Sequence, residues 1–257
     1  MKIAVAIKQV PLRDSALRVN AAGTWIDEDN LSFEINEPDA YALEEALQLR
    51  EKHGGEVIVI SAGPARVSQT IREALAKGAD RGIHVESSSA DTLGIATSLA
   101  AALKPESPDL ILTGLQSDDL GYGQTGVILA ELLGLPSSTI IMRVEMQPLD
   151  QPSKVRVKRE LEDGWFQHIE MPLPAALTIQ SGLNKLRYAT LMGIKKAKSK
   201  EIKVLTGAEL GAAPAPSVAI EKIYAPQKTR QAQIFEGDAK TVAAQLVEKL
   251  RFEARVL

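Results

Sequence analysis

Short apolar runs alternate with longer helical patterns along the chain up to Pro136. The runs predict strands at residues 2–10, 56–61, 82–85 and 109–113. Between them, apolar side chains recur at the spacing of one helix face, in three groups: Leu43, Ala46 and Leu47; Val67, Ile71, Ala74 and Leu75; Ile95, Leu99, Ala102 and Leu103. This alternation is typical of βαβ units, so the sequence predicts a Rossmann-like α/β fold with a parallel sheet.

The first helix has a clear start signal in Asn36-Glu37-Pro38. Asparagine is a favoured capping residue, proline is tolerated in the first helical turn, and acidic side chains interact favourably with the helix dipole there. We therefore expect a helix to begin at this point, with Asn36 as its cap.

Beyond Pro136 the pattern changes to strict alternation of apolar and polar residues, in runs 139–146, 154–161 and 165–170. Glu162-Asp163-Gly164 separates the last two runs as a turn, which predicts an antiparallel hairpin extension. Further strands are predicted at 175–180 and 202–205, and residues 181–199 between them show no clear period.

The C-terminal part differs again in composition. Residues 207–217 are small and proline-bearing, which indicates a linker. A short strand at 218–224 and a helix at 239–251, with Val242, Leu246 and Leu250 on one face, follow it. Two elements cannot form a core by themselves, so we expect an α/β domain at 1–206, a linker at 207–217 and a tail at 218–257 that docks on a partner.

Composition excludes several classes of function. The chain has 257 residues, of which 45% are hydrophobic, so a full-sized core is possible. Its net charge of −3 gives no electrostatic footprint for nucleic acid or an anionic membrane. With no cysteine there is no disulfide, thiolate metal site or cysteine nucleophile. No targeting peptide or membrane-inserting segment is apparent, which favours a cytoplasmic location.

The most informative loop is residues 114–126, called the glycine loop below, which follows the fourth predicted strand. Glycines let backbone amides approach a ligand, and the helix predicted at 127–133 would direct its N-terminus towards a phosphate. The loop itself contains Asp118 and Asp119 but no lysine or arginine, which favours a monophosphate nucleotide over a triphosphate. A long turn with capping aspartates is an equally good interpretation of the loop by itself.

Other motifs are missing or weak. No glycine fingerprint follows the first strand, where Pro11-Leu12-Arg13-Asp14 stands, which disfavours a hydride-transferring dehydrogenase. His53, His84 and His168 lack ligand spacing and are interpreted as structural. Residues 188–194 are apolar and could form an exposed binding surface, but their lack of a regular period favours a buried coil. The lysines from Lys195 to Lys200 that follow are typical of a solvated turn.

Taken together, these segments resemble the β subunit of the electron transfer flavoproteins over nearly the whole chain. The matching stretches are residues 5–10, 36–38 and 42–46, 61–64, 76–81, the glycine loop, Arg159-Glu160 with 162–164, 173–175 and 184–198.

The resemblance implies a heterodimer. A larger α subunit would carry most of the FAD contacts, and this subunit would hold a structural AMP, act as an electron carrier without catalytic residues of its own, and pass electrons from a donor dehydrogenase to a quinone-linked acceptor. The implied AMP contacts are Ala6, Asn36, Glu37, Pro38, Asp39, Ala62, Gly114, Gln116, Ser117, Asp118, Asp119, Gly121, Tyr122, Gly123, Gln124 and Thr125.

The same resemblance implies a recognition segment at residues 184–200, which docks the dehydrogenase with Leu191 as its anchor. Its implied contact residues are Arg187, Tyr188, Ala189, Thr190, Leu191, Met192, Gly193, Ile194, Lys195 and Lys196. The C-terminal tail would pack on the α subunit.

Departures from the family pattern concern two points. Leu186 stands where members often have proline, which bears on the rigidity of the recognition segment. Asn36-Glu37-Pro38-Asp39 lacks a common aromatic residue and residues 120–123 differ from the usual polar ones, which leaves open a bifurcating-type subunit with a second FAD, although AMP is favoured. Outside the family, the alternatives are a free-standing ATP-using α/β enzyme and a stress-type ATP-binding module, for which the chain is too long.

Overall fold

A computed structural model describes residues 1–87, 91–148, 153–211, 217–226 and 232–257. The chain divides into two units. The first comprises Met1–Arg18 and Ile26–Glu221, and the second comprises Val19–Trp25 and Lys222–Leu257.

The first unit is built from strands and helices that alternate in its first half. Its strands are β1 Lys2–Ala6, β2 Gln9–Pro11, β3 Phe33–Ile35, β4 Glu56–Gly63, β5 Arg81–Glu86, β6 Leu110–Gly114, β7 Ser137–Gln147, β8 Lys154–Glu160, β9 Phe166–Pro172, β10 Ala175–Ile179 and β11 Ile202–Leu205. Its helices are α1 Glu37–His53, α2 Val67–Lys77, α3 Thr92–Leu103, α4 Thr125–Leu133 and α5 Leu191–Ala197.

Nine strands form one sheet in the order β11-β5-β4-β1-β6-β10-β7-β8-β9. Every pair from β11 to β7 is parallel, and the β7–β8 and β8–β9 pairs are antiparallel. The turn between β8 and β9 is Glu162–Gly164, with Asp163 at φ 55°. The predictions of a Rossmann-like parallel sheet and of an antiparallel hairpin extension are confirmed.

Helices cover both faces of the parallel sheet, because alternate residues of a strand point to opposite sides. On β1, Ile3 and Val5 enter one hydrophobic cluster, together with Leu43 and Leu47 of α1 and Ile71 and Leu75 of α2. Ala4 and Ala6 enter the other, together with Leu99 and Leu103 of α3 and Leu129 of α4. The three helical stripes read from the sequence therefore pack on the sheet.

Two predictions about the first unit need correction. The run 2–10 is broken after Ala6, and β2 pairs with β3 in a separate antiparallel sheet. The stretch 181–199, in which no period was apparent, contains helix α5, Leu191–Ala197. A helix of two turns is too short for its apolar spacing to stand out from the surrounding sequence.

The second unit contains helix α6, Ala239–Phe252, which confirms the predicted terminal helix. None of its residues is buried, and Asp238 caps it through the backbone N–H groups of Lys240 and Thr241. The predicted strand at 218–224 is wrong. Ile223 donates one backbone hydrogen bond to Gly23, but residues 217–226 have no strand partner, and β-branched composition forms a strand only where a neighbour supplies a ladder.

Candidate functional site

The carboxyl ends of three adjacent strands define the candidate site. Ala6 at the end of β1 pairs with Ile60 of β4 on one side and with Thr113 of β6 on the other. The ends of these strands, with Ala62 near the end of β4 and the glycine loop after β6, therefore lie side by side. This is the edge at which open parallel sheets bind ligands.

Asp39, near the start of α1, joins two of these strand ends. Its carboxylate accepts a hydrogen bond from the backbone N–H of Lys8 and another from that of Gly114, each at 2.7 Å. Burial raises the pKa of Asp39 to about 7, although the Lys8 and Gly114 hydrogen bonds favour the ionised form. A Cβ on Gly114 would collide with Asp39 and would lie 2.7 Å from Cβ of Pro38, so the close contact requires glycine.

Asn36 holds the glycine loop from the same helix end. Its Nδ2 donates to the carbonyl of Gln116 at 2.9 Å, and its Oδ1 accepts from the backbone N–H of Asp118 at 2.9 Å. The predicted capping role is wrong in this respect, because Asn36 occupies the cap position without a side-chain capping bond. The carboxylate of Asp118, in the glycine loop, accepts a hydrogen bond from the backbone N–H of Glu37 at 3.3 Å. Asp118 therefore caps the start of α1 instead, although it is distant in sequence.

The glycine loop turns sharply before it enters α4. Gly121 and Gly123 have φ values of 65° and 63°, which favour glycine. Helix α4 starts at Thr125, two residues earlier than the sequence indicated. A Cβ on Gly126 would clash with Thr113 and lie 2.6 Å from Cγ2 of Thr178, so this glycine lets the helix start sit against the sheet. The backbone N–H groups of the first turn of α4, which a helix leaves without intrahelical acceptors, are thus fixed next to the loop.

Lys8 is a functional candidate that the sequence reasoning did not single out. Its ammonium group lies 2.6 Å from Oδ1 of Asp119 and 3.3 Å from Oγ of Ser117, so a cation reaches the glycine loop from β1. Burial works to raise the pKa of Asp119, but the hydrogen bonds from Lys8 and Ser117 outweigh it and leave that pKa below its usual value. The available signal was the matching stretch 5–10, which contains Lys8. The predicted strand 2–10 hid the fact that β1 ends at Ala6 and that Lys8 lies beyond it.

The structure brings all the sequence-predicted nucleotide residues to one edge of the sheet. Ala6 and Ala62 lie at or near strand ends, residues 36–39 start α1, and the others lie in the glycine loop or at the start of α4. Asn36 and Asp39 are buried, whereas Gln116, Asp118, Asp119, Gly121, Tyr122 and Gln124 are exposed. Rigid buried groups therefore support an accessible loop.

The predicted recognition segment lies elsewhere, and its start contacts α1 along the helix. Arg187 makes a forked pair with the buried Glu44, at 2.7 and 3.0 Å, and a second with Glu51, at 2.6 and 3.2 Å. Asn184 donates to the carbonyl of Tyr41 at 3.2 Å and to Glu45 at 3.1 Å. Hydrogen bonds from Arg187 lower the pKa of Glu51, which is consistent with a persistent pair.

The middle of the recognition segment is exposed. Tyr188 is 93% exposed, Leu191 81% and Met192 61%, so the buried-coil interpretation of this stretch is wrong. Thr190 caps α5 by accepting from the backbone N–H of Gly193 at 3.0 Å. Lys195, Lys196 and Lys198 are exposed, in agreement with a solvated basic run.

The far end of the segment is fastened to α2. Arg72 donates to the carbonyls of Ala197 and Lys200, the latter at 2.8 Å, and Lys200 donates back to the carbonyls of Leu75 and Ala79. Apolar side chains are thus presented to solvent between two anchored ends.

The remaining features to consider are a buried histidine, possible metal ligands and possible membrane spans. His84 is 2% exposed and contacts the carbonyl of Gly63 at 3.0 Å and Ser68 at 3.3 Å, as a structural histidine does. Within the described ranges, no group of three or more histidine, aspartate and glutamate side chains could hold a metal ion. The same ranges hold no helix that is both long and apolar enough to span a membrane.

Comparison with known proteins gives a consistent family. A model of the electron transfer flavoprotein domain matches residues 23–210. The chain is 37% identical to the electron transfer flavoprotein subunit beta of Methylophilus methylotrophus, covering 96% of this chain and 97% of the relative. It is 38% identical to the subunit beta of Bradyrhizobium diazoefficiens, with full coverage of both chains, and 36% identical to that of Sus scrofa, covering 100% and 99%. The relatives are all beta subunits of electron carriers. The chain therefore belongs to the electron transfer flavoprotein family and is similar to its beta subunits.

Proposed function

We propose that this chain is the β subunit of a heterodimeric electron transfer flavoprotein and holds one AMP at the glycine loop. The observation that carries the proposal is the buried pair Asn36 and Asp39, which fixes the glycine loop and the ends of β1 and β6 from one helix start. Buried polar groups are costly unless they are fully satisfied, and here they support an accessible ligand-sized loop.

The groups around the loop suit a monophosphate nucleotide. Helix α4 offers the backbone N–H groups of its first turn for one phosphate, and the exposed Asp118 can accept ribose hydroxyl groups. Lys8 is already engaged by Asp119, so a triphosphate would lack a free cation in the loop. These features support AMP over ATP.

The FAD would be shared with an α subunit, which we propose as the partner of the C-terminal tail. Helix α6 has an apolar stripe in Val242, Leu246 and Leu250, and no residue of the helix is buried within this chain. Leu246 and the adjacent Val247 are exposed, and Val242 and Leu250 are half-buried. An apolar helix face that is left partly in solvent is typical of a protein contact. The redox chemistry would come from the flavin, with no catalytic residue supplied by this subunit.

The recognition segment would dock the donor dehydrogenase, and a quinone-linked oxidoreductase would take the electrons onward. Leu191, exposed between two anchored ends, has the features of a contact residue that enters a pocket on a partner. The cytoplasmic location stays a prediction.

The test is to co-express the chain with an α subunit, purify the complex, and release its nucleotides with acid for chromatography. We expect one AMP per complex together with FAD. Asn36→Asp removes the donor to Gln116 and should lower AMP content, whereas the control Asn30→Asp changes an exposed asparagine and should keep it.

Several results would contradict the proposal. A second FAD in place of AMP would establish the bifurcating type. Stoichiometric ATP in a chain that folds without any partner would favour the free-standing enzyme. An empty site would favour the interpretation of the glycine loop as a long turn with capping aspartates.

A further inference from the structure

Cations near the candidate nucleotide site are already paired. Lys8 pairs with Asp119 at 2.6 Å, Arg13 with Glu37 at 2.8 Å and Arg66 with Glu28 at 2.8 Å. In the part of the chain that the structure describes, Lys8 is the only lysine or arginine that donates a hydrogen bond to the glycine loop. The one side-chain cation that hydrogen-bonds to the described glycine loop is therefore already paired with a carboxylate of that loop.

We propose that Asp119 limits this site to nucleotides with one phosphate, by holding the Lys8 ammonium group away from a second phosphate. Because the limit applies to the AMP site, it rests on the proposed function. Asp119 is a specificity-determining residue that acts through Lys8, and Lys8 is the group that a longer phosphate chain would need.

The geometry of the pair supports this role. The Lys8 and Asp119 side chains are 40% and 23% exposed, so the pair is partly screened from water but can still be reached by a ligand. Ser117 accepts a further hydrogen bond from the same ammonium group at 3.3 Å, which keeps it directed into the loop. Two of the three hydrogen atoms of the ammonium group are thereby committed to the protein.

A second phosphate meets opposing charges in this arrangement. The backbone N–H groups at the start of α4 can satisfy one phosphate without any side-chain cation. A further phosphate would have to break the Lys8–Asp119 pair and would then leave the Asp119 carboxylate unpaired beside it. Like charges in a partly desolvated site repel, so each additional phosphate lowers affinity.

The experiment measures AMP, ADP and ATP binding to the purified heterodimer after its own nucleotide has been removed, by calorimetry at fixed ionic strength with EDTA to exclude magnesium. Asp119→Asn removes the carboxylate and releases Lys8. We expect the ratio of the ADP to the AMP dissociation constant to fall about tenfold, which is the size of one charge-assisted hydrogen bond. ATP should follow the same direction.

Asp118→Asn is the matched control, because Asp118 is the neighbouring exposed carboxylate of the loop and accepts a bond from Glu37 rather than from a lysine. It should change the ratio by less than about twofold, the scale of a screened charge effect. Adding Lys8→Gln to Asp119→Asn should restore the preference for AMP, because the freed cation is then gone.

Three outcomes would overturn the inference. The ratio is unchanged in Asp119→Asn, or Asp118→Asn changes it equally, or it stays low after Lys8 is removed. If the unmodified heterodimer binds AMP in these cases, the proposed function survives and only the role of Asp119 is lost. If the unmodified heterodimer binds no AMP at all, both fail.

Discussion

Two regions of this chain attach to the same helix and are built in opposite ways. At the start of α1, Asn36 and Asp39 are buried and bond to the backbone of the loops around them. Further along α1, Glu44 and Glu51 hold Arg187, beyond which Tyr188 and Leu191 are left in solvent. The first region buries its polar groups against backbone of this chain, and the second leaves large apolar side chains in solvent.

The difference teaches how burial separates scaffold from contact surface. A buried polar group contributes stability only while its partners are in place, so changes at Asn36 or Asp39 should affect folding and the nucleotide together. An exposed leucine contributes little to folding, so changes at Leu191 should affect docking only.

The largest expected effect is at Asp39. Asp39→Ala leaves the backbone N–H groups of Lys8 and Gly114 without their acceptor in a buried site, and each unsatisfied donor costs about 1–3 kcal/mol. We expect the free energy of unfolding, measured by urea titration of the purified heterodimer, to fall by about 3 kcal/mol. Asp14→Ala, at an exposed aspartate, is the control and should change it by under about 0.5 kcal/mol. Equal losses of stability in both variants would show that the hydrogen bonds of Asp39 do not stabilise the fold.

The pH dependence of stability gives a second test of the buried region. The pKa of Asp39 is raised to about 7 in the folded state, above its value of 3.8 in the unfolded chain, so the folded state binds the proton more tightly. The stability gained from tighter proton binding in the folded state is therefore fully present below pH 3.8 and is lost as pH rises towards 7. Between pH 5 and 8, the stability of the unmodified protein should fall relative to Asp39→Asn by about 2–3 kcal/mol. A constant difference across this range would show that burial does not raise the pKa.

Leu191 tests the exposed region. Transfer of a leucine side chain from water is worth roughly 1.5–3 kcal/mol, so Leu191→Ala should weaken docking to the donor dehydrogenase by about one to two orders of magnitude. Flavin content and thermal stability should not change. Leu161→Ala, at a leucine that is 40% exposed in the hairpin, is the control and should leave flavin reduction by the dehydrogenase unaffected. A lower melting temperature with a normal rate per folded molecule would contradict the anchor role.

The sequence predicted most of the fold because its parallel strands and their helices have strong periodicity. It failed where a long-range contact decides the outcome. Asn36 looks like a helix cap in sequence, but its partners Gln116 and Asp118 lie about 80 positions away, as does the contact of Lys8 with Asp119 at more than 100. Local patterns carry no information about such pairs. Helix α5 was missed because seven residues give too little periodicity.

The smallest expected effect concerns Arg187, at the junction of the two regions. Its guanidinium forks onto Glu44 and Glu51, and lysine cannot reproduce two bidentate pairs with a single ammonium group. Arg187→Lys should therefore loosen the start of the recognition segment and speed amide exchange at residue 187, whose backbone N–H donates to Oε2 of Glu44 at 3.3 Å, by about five- to tenfold, which corresponds to about 1 kcal/mol. Arg143→Lys, at an exposed arginine paired with Glu145 on β7, should leave that exchange unchanged. If exchange is the same in both variants, the contacts of α5 with α2 fix the segment without help from α1, and the two regions are independent of each other.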